Sequence, residues 1–198
     1  MDIRPIRPGE HKLIGKIIGE SFADDPIYQF LLGPQSAITA HATFMAKTVY
    51  LEKGFGHIAD DHSGCTLWLP PSATAQLSLW QTLTMLPPLL RYSGLRRLIR
   101  ALPAGDKIES HRPKEPHYYL FAIGTTRDGR RKGLGSKLIE AGLKIADETG
   151  MPAYLENSKD ENMAFYQRHG FEKIGECFPA KGCPKERLML RPVQSSMP

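Results

Sequence analysis

The chain has 198 residues, 41% of them apolar, and a formal net charge of +5. That is enough chain for one domain with its own core, and the charge excess permits an anionic partner without identifying one. The start, MDIRPIRPGEHK, lacks the apolar core of a signal peptide, and no run approaches the length that spans a bilayer, so a cytoplasmic protein without membrane association is expected. In chain order, DIRPIRP reads as a short strand. GEHKLIGKIIGESFADDPIYQFLLG reads as two helical pieces broken at Asp24-Asp25-Pro26, because proline disfavours helix just before it. SAITAHATFMAKTVYLEKG is a third helix stopped by Gly54, and FGHIAD and CTLWLP form a hairpin across DHSG. Residues 73 to 112 read as mostly helical, interrupted at Pro87-Pro88, Gly94 and Pro103.

From Pro116 the pattern tightens. HYYLFAIG is an apolar strand of the kind buried on both faces. The next helix keeps Leu134, Leu138, Gly142 and Ile145 on one stripe, turns Lys137, Glu140, Lys144 and Asp147 to water, and ends at Gly150 and Pro152. PAYLENS is a strand, DENMAFYQRHG a short helix, and FEKIGECF and ERLMLRP a closing strand pair. This alternation predicts a single α/β (α+β) domain, 1–198, built on a mixed sheet. Cys65, Cys177 and Cys183 are odd in number and irregularly spaced, so they read as reduced thiols. No Cys-x-x-Cys or His-x-x-x-His pair exists, and no metal is expected.

The glycine turn between the buried strand and the long helix reads as a phosphate site. A P-loop would need Lys and Ser/Thr where Arg130 and Arg131 follow Gly124 and Gly129, and a dinucleotide fingerprint would need glycine where Leu138 stands. What remains is R-x-x-G-x-G, Arg130 to Gly135, amid Arg127, Arg131, Lys132 and Lys137. Free N–H groups at a helix start, the helix dipole and glycine's small size all suit an anion there. Downstream, LENSKDENMAFYQRHGFEKIGE sets Asn162 and Tyr166 four residues apart, on one face of a short helix. Taken alone, Tyr166 reads equally as a half-buried core aromatic.

Loop and downstream segment, in that order, resemble the GNAT superfamily of acyl-CoA-dependent N-acyltransferases. HRPKEPHYYLFAIG, RRKGLGSKL, GMPAYLENS and FYQRHGFEKIGE together are similar to its puromycin N-acetyltransferase branch over residues 111–192. That branch often has Pro at Arg127 and Gly at Arg131, and the match is faint over residues 35–110. The resemblance implies a largely antiparallel sheet splayed between its two central strands, with an acceptor-side half (1–110) and a cofactor-binding half (111–192). It implies acetyl-CoA as acyl donor, held by Phe121, Ala122, Ile123, Arg130, Arg131, Lys132, Gly133, Leu134, Gly135, Ser136, Asn162 and Tyr166. In the implied chemistry, transfer to an amine needs a base, oxyanion donors and an acid for the departing thiolate. Tyr166 is the implied acid.

For the base, alternation places Tyr154 and Glu156 on one face of AYLEN. Glu156 is the candidate, a salt bridge to a neighbouring Arg or Lys being its other reading, and His117 the alternative base, which reads equally as a solvated strand end. Asp24 and Asp25 are expected to cap a helix more than to bind a cationic acceptor. LRRLIR, Leu95 to Arg100, reads as solvated arginines over a buried Leu95-Leu98-Ile99 side, and Trp68 and Trp80 as core or pocket wall. Trp80, Leu83, Leu86, Leu89 and Tyr92 are expected to wall a concave acceptor pocket. The expected partner is a small molecule with a primary amine, not nucleic acid, acted on by a monomer or homodimer. A protein or peptide acetylase and a silent acyl-CoA-binding fold are the competing readings.

Overall fold

The computed structural model describes residues 2–194. Its seven strands form one sheet in the order β1-β2-β3-β4-β5-β7-β6, antiparallel except where β4 meets β5. β1 (Ile3–Pro5) lies beside β2 (Phe55–Ala59), which turns into β3 (Gly64–Leu69). β4 (Tyr118–Thr125) and β5 (Ala153–Asn157) are central, and β7 (Glu186–Arg191) inserts between β5 and β6 (Glu172–Cys177). The closing strand pair is therefore as expected, while its order across the sheet was not readable from the alternating pattern.

Helices cover both faces. On one side α1 (His11–Ser21) and α3 (Gln35–Met45) bury Ile14, Ile17, Ile18, Ala42 and Met45 over Tyr119, Ala122, Tyr154 and Leu188. The two helices approach closely because Gly15 and Gly19 face Thr43 and Thr39: a Cβ on either glycine would lie 1.9 Å from a threonine Oγ1. α3 continues through a π-helical turn, Ala46–Tyr50, into α4 (Leu51–Lys53) and stops at Gly54 as expected. On the other face α7 (Leu134–Glu148) and α8 (Met163–Arg168) bury Ile139, Leu143 and Tyr166 against Trp68, Leu120 and Leu155. The predicted stripe on α7 is observed at Leu134, Leu138 and Gly142, with Ile145 at its half-buried edge.

α2 (Pro26–Leu31) follows the predicted break, and α5 (Leu79–Ser93) and α6 (Leu95–Glu109) form a helical hairpin. Here two expectations are corrected. Pro87, Pro88 and Pro103 interrupt nothing; only Gly94, at φ 76°, separates the helices. The carbonyls four residues before these prolines belong to Leu83, Thr84 and Ile99, all exposed, so water can satisfy them. Nor does the hairpin bury the predicted side: Leu98 is buried, but Leu95 and Ile99 are exposed.

Candidate active site

β4 and β5 are in register only at Tyr118–Ala153, Tyr119–Tyr154 and Leu120–Leu155. Beyond Leu120 the strands part, and a cavity of about 330 Å³ opens between them, lined by Leu120 to Thr125 on one side and Leu155 to Lys159 on the other. A bulge marks the departure: Leu67 of β3 faces Ala122 while the next residue, Trp68, faces Leu120, so Phe121 is the extra residue. Its ring stacks on Tyr50, centroids 4.5 Å apart. The splay implied by the resemblance is thus present. The expectation that this strand is buried on both faces holds only as far as Leu120, because the parted half lines a cavity.

At one end of the cavity stands Arg130, followed by the turn into α7. Gly133, at φ 72°, is the residue before the helix, and no side chain caps that end. Arg130, Arg131 and Lys132 are exposed beside it. Such a helix start offers backbone N–H groups and positive charge to a phosphate. Leu134 is buried against Ala59 and Leu138, so only its backbone can serve a ligand, and Gly135 is packed near the ring of Phe165. Arg131 also has a positive φ, 61°, a conformation ordinarily left to glycine.

Tyr166 and Asn162 both line the same cavity, as their spacing predicted. Burial, and after it the charge of Asp25, pushes the Tyr166 phenol above its usual range, so it stays protonated. Asp25 caps α2, accepting from the N–H groups of Ile27 at 2.9 Å and Tyr28 at 3.0 Å, and it also accepts from the Ser158 hydroxyl. Asp24 pairs with Lys159 at 2.7 Å. The capping reading is therefore observed for Asp25, and neither carboxylate is left over for a cationic ligand. Ser158 and Lys159, which bring α2 to the end of β5, carried no sequence signal beyond their place after the strand.

Glu156 also lines the cavity, and Tyr154 shares its face as alternation required. Its Oε1 accepts from Arg112 Nε at 3.0 Å, and both side chains are largely buried. Arg112 in turn lies over the Tyr119 ring, 3.6 Å from the centroid. The salt-bridge reading of Glu156 is realised, and Arg112, 44 positions away in a loop, is the residue that chain-local patterns could not pair with it. A second acid on that face, Glu186, has a buried Oε2 with no hydrogen-bond partner among the described residues. Burial, reinforced by Glu156 and Asp25, raises it well above the usual carboxylate range, against the pull of Arg112. Tyr28 and His41 belong to the same aromatic neighbourhood, their rings 6.0 Å apart, and burial lowers His41 to about 4, so it is neutral.

His117 lies elsewhere. It precedes the paired end of β4, its Nδ1 2.8 Å from the Glu115 carbonyl oxygen and its ring against Tyr154, and it does not line the cavity. Nor does the hairpin wall it. Trp80 is 77% exposed and Leu83 and Tyr92 are exposed too, Leu86 is partly buried, and Leu89 faces α2 and α3. The expected pocket wall of residues 73–112 is corrected accordingly: the hairpin packs on α2 and α3, away from the strand gap. Trp68 is wholly core. The three cysteines are free and buried, and among the described residues no cluster of His, Cys, Asp and Glu could hold a metal ion.

Residues 98–171 match the model of the Acetyltransferase (GNAT) family. An uncharacterized N-acetyltransferase of Schizosaccharomyces pombe is 25% identical over 187 residues, covering 86% of this chain and 74% of the relative. Among solved structures, histone acetyltransferase HPA2 and related acetyltransferase from Corynebacterium glutamicum superposes with a TM-score of 0.70 at 24% identity, over 99% of this chain and 97% of the other. A GNAT family acetyltransferase from Brucella melitensis in complex with acetyl-CoA superposes at 0.52 with 15% identity, over 100% and 90%. The fold is the GNAT fold.

Proposed function

We propose that this GNAT-fold chain transfers the acetyl group of acetyl-CoA to a primary amine of a small molecule. The observation that carries the reading is the parting of β4 from β5 beyond Leu120 and Leu155, which puts Tyr166, Glu156 and Arg130 on the wall of one cavity. The residues present fit the donor: an uncapped helix start with exposed cations suits a pyrophosphate, and the gap between strands admits an extended arm. When bound, acetyl-CoA supplies an acyl thioester. β4 past Leu120 has parted from β5, so backbone groups on the side facing the gap are free to hydrogen-bond the arm and polarise a carbonyl. Tyr166, protonated at neutral pH, is placed to give its proton to the departing sulfur. Glu156 takes the proton that the amine loses, directly or through a water, while Arg112 holds the carboxylate in place. A small acceptor is favoured because Glu156 and Glu186 are largely buried, with Tyr28 of α2 and Tyr50 of the π-helical turn close to Glu156.

The test is release of the coenzyme A thiol by purified protein, with puromycin, aminoglycosides, polyamines, free amino acids and lysine peptides as acceptors. Turnover with one of the small amines is expected. Turnover confined to lysine peptides would replace the small acceptor by a protein one. No acetyl-CoA-induced rise in melting temperature would remove the donor as well.

A further inference from the structure

The α5–α6 hairpin has two differently occupied sides. Its inner side seats Leu89, Leu98 and Ala104 against Ile27, Leu31 and Ile38 of α2 and α3. Its outer side is bare. Trp80, Leu83 and Leu90 recur at helical spacing along α5, and Leu95, Ile99 and Leu102 along α6, all of them exposed. Scattered exposed leucines need no explanation, but two apolar stripes on adjoining helices do. The charge is lopsided too. Over α5 and α6 Arg91, Arg96, Arg97, Arg100 and Lys107 outnumber Asp106 and Glu109, and both acids sit in the last turn of α6, away from the four exposed arginines.

From this combination we propose that the hairpin is a docking element for the surface of an anionic lipid bilayer. Apolar side chains flanked by arginines, with the hairpin's two carboxylates confined to the end of α6, match a membrane interface in both hydrophobicity and charge. The alternatives fit worse. A second copy packed hairpin to hairpin would bring uncompensated arginines together, and like charges in a closing interface oppose it. A nucleic acid would satisfy the arginines but leave the leucine stripes in water. The hairpin lies on the interface and does not cross it: each helix has 15 residues, about 22 Å at the α-helical rise and short of a bilayer core of about 30 Å. The carbonyls freed by Pro87, Pro88 and Pro103 point the same way, since they need water or headgroups as partners.

The chain carries its own reporter. It has two tryptophans, Trp68 wholly buried and Trp80 77% exposed, so a change in emission reports on Trp80. With vesicles of phosphatidylcholine plus phosphatidylglycerol, the emission of the full chain shifts to the blue and the protein co-sediments. With phosphatidylcholine alone it does neither. Arg96→Gln with Arg97→Gln, both on the exposed surface, weakens vesicle binding about 30-fold, at roughly 1 kcal/mol per cation. Leu83→Gln with Ile99→Gln abolishes the blue shift while leaving the melting temperature of the free protein unchanged. No shift with either vesicle overturns the proposal. So does a blue shift that appears on concentrating the protein without lipid, which would mean self-association, and so does preferential binding to a polynucleotide.

Discussion

Two side chains in the candidate site are set by their local conformation and surroundings. Tyr166 is buried, and its phenol is raised by burial first and by Asp25 second, so it is protonated at neutral pH. Tyr166→Phe keeps the ring in its cluster with Leu155 and Phe171 and removes only the hydroxyl. The expected result is a fall in kcat of about 10²-fold with the KM for acetyl-CoA little changed, measured by thiol release. Arg131 presents the opposite case, a residue whose charge serves the loop but whose backbone does not suit it. At φ 61° an L-residue sits in the left-handed region at a cost of roughly 1–2 kcal/mol. Arg131→Gly is therefore expected to raise the melting temperature by about 2–4 °C, for roughly 1 kcal/mol regained. An unchanged or lowered melting temperature would show that the guanidinium makes a compensating contact in solution.

At the scale of elements, α7 joins the glycine turn at Gly133 to the core. Its first residues leave N–H groups free for an anion, and its middle presses on β3 through Gly142. A Cβ at Gly142 would lie 2.4 Å from Cε2 and Nε1 of Trp68, an indole fixed in place by Phe55, Leu120 and Ile139. Gly142→Ala must displace either the helix or the indole, and a loss of about 1–3 kcal/mol of stability is expected by denaturant titration. Because a displaced helix carries its N-terminus with it, acetyl-CoA should also stabilise this variant less than wild type. The α5–α6 hairpin shows the opposite economy: few of its side chains are buried, and its prolines persist because the carbonyls they orphan are wet.

For the molecule as a whole, the face around Glu156 holds acid groups that folding has taken out of water. Glu186 is the extreme, its carboxyl raised from 4.5 to about 8 by burial and then by Glu156 and Asp25. The folded state keeps it protonated where the unfolded chain has already ionised it. Its stabilising share is complete below about 4.5 and is lost as pH rises toward about 8. Glu186→Gln removes that dependence. Melting temperatures of the two proteins should agree in acid and diverge across this window in favour of the variant, and parallel profiles would mean that Glu186 is ionised in the folded protein.

Local patterns sufficed for much of this. The period-2 alternation of AYLEN set Tyr154 and Glu156 on one face, the stripe along Leu134, Leu138 and Gly142 set the inner side of α7, and Asp25 before Pro26 set a helix cap. Each follows from covalent geometry and backbone periodicity, which act over a few residues, and the fold class and the glycine turn into α7 are legible for the same reason. The strand order, with β7 between β5 and β6, is decided by long-range pairing that no local pattern records. The partner of Glu156 is decided in the same way, because Arg112 reaches it from a loop and gains its position from the Tyr119 ring. The hairpin is the clearest division between the two. Its helices and their apolar content are written in the residues from 79 to 109, but which side those residues turn to water depends on where α2 and α3 stand, and that only tertiary packing decides.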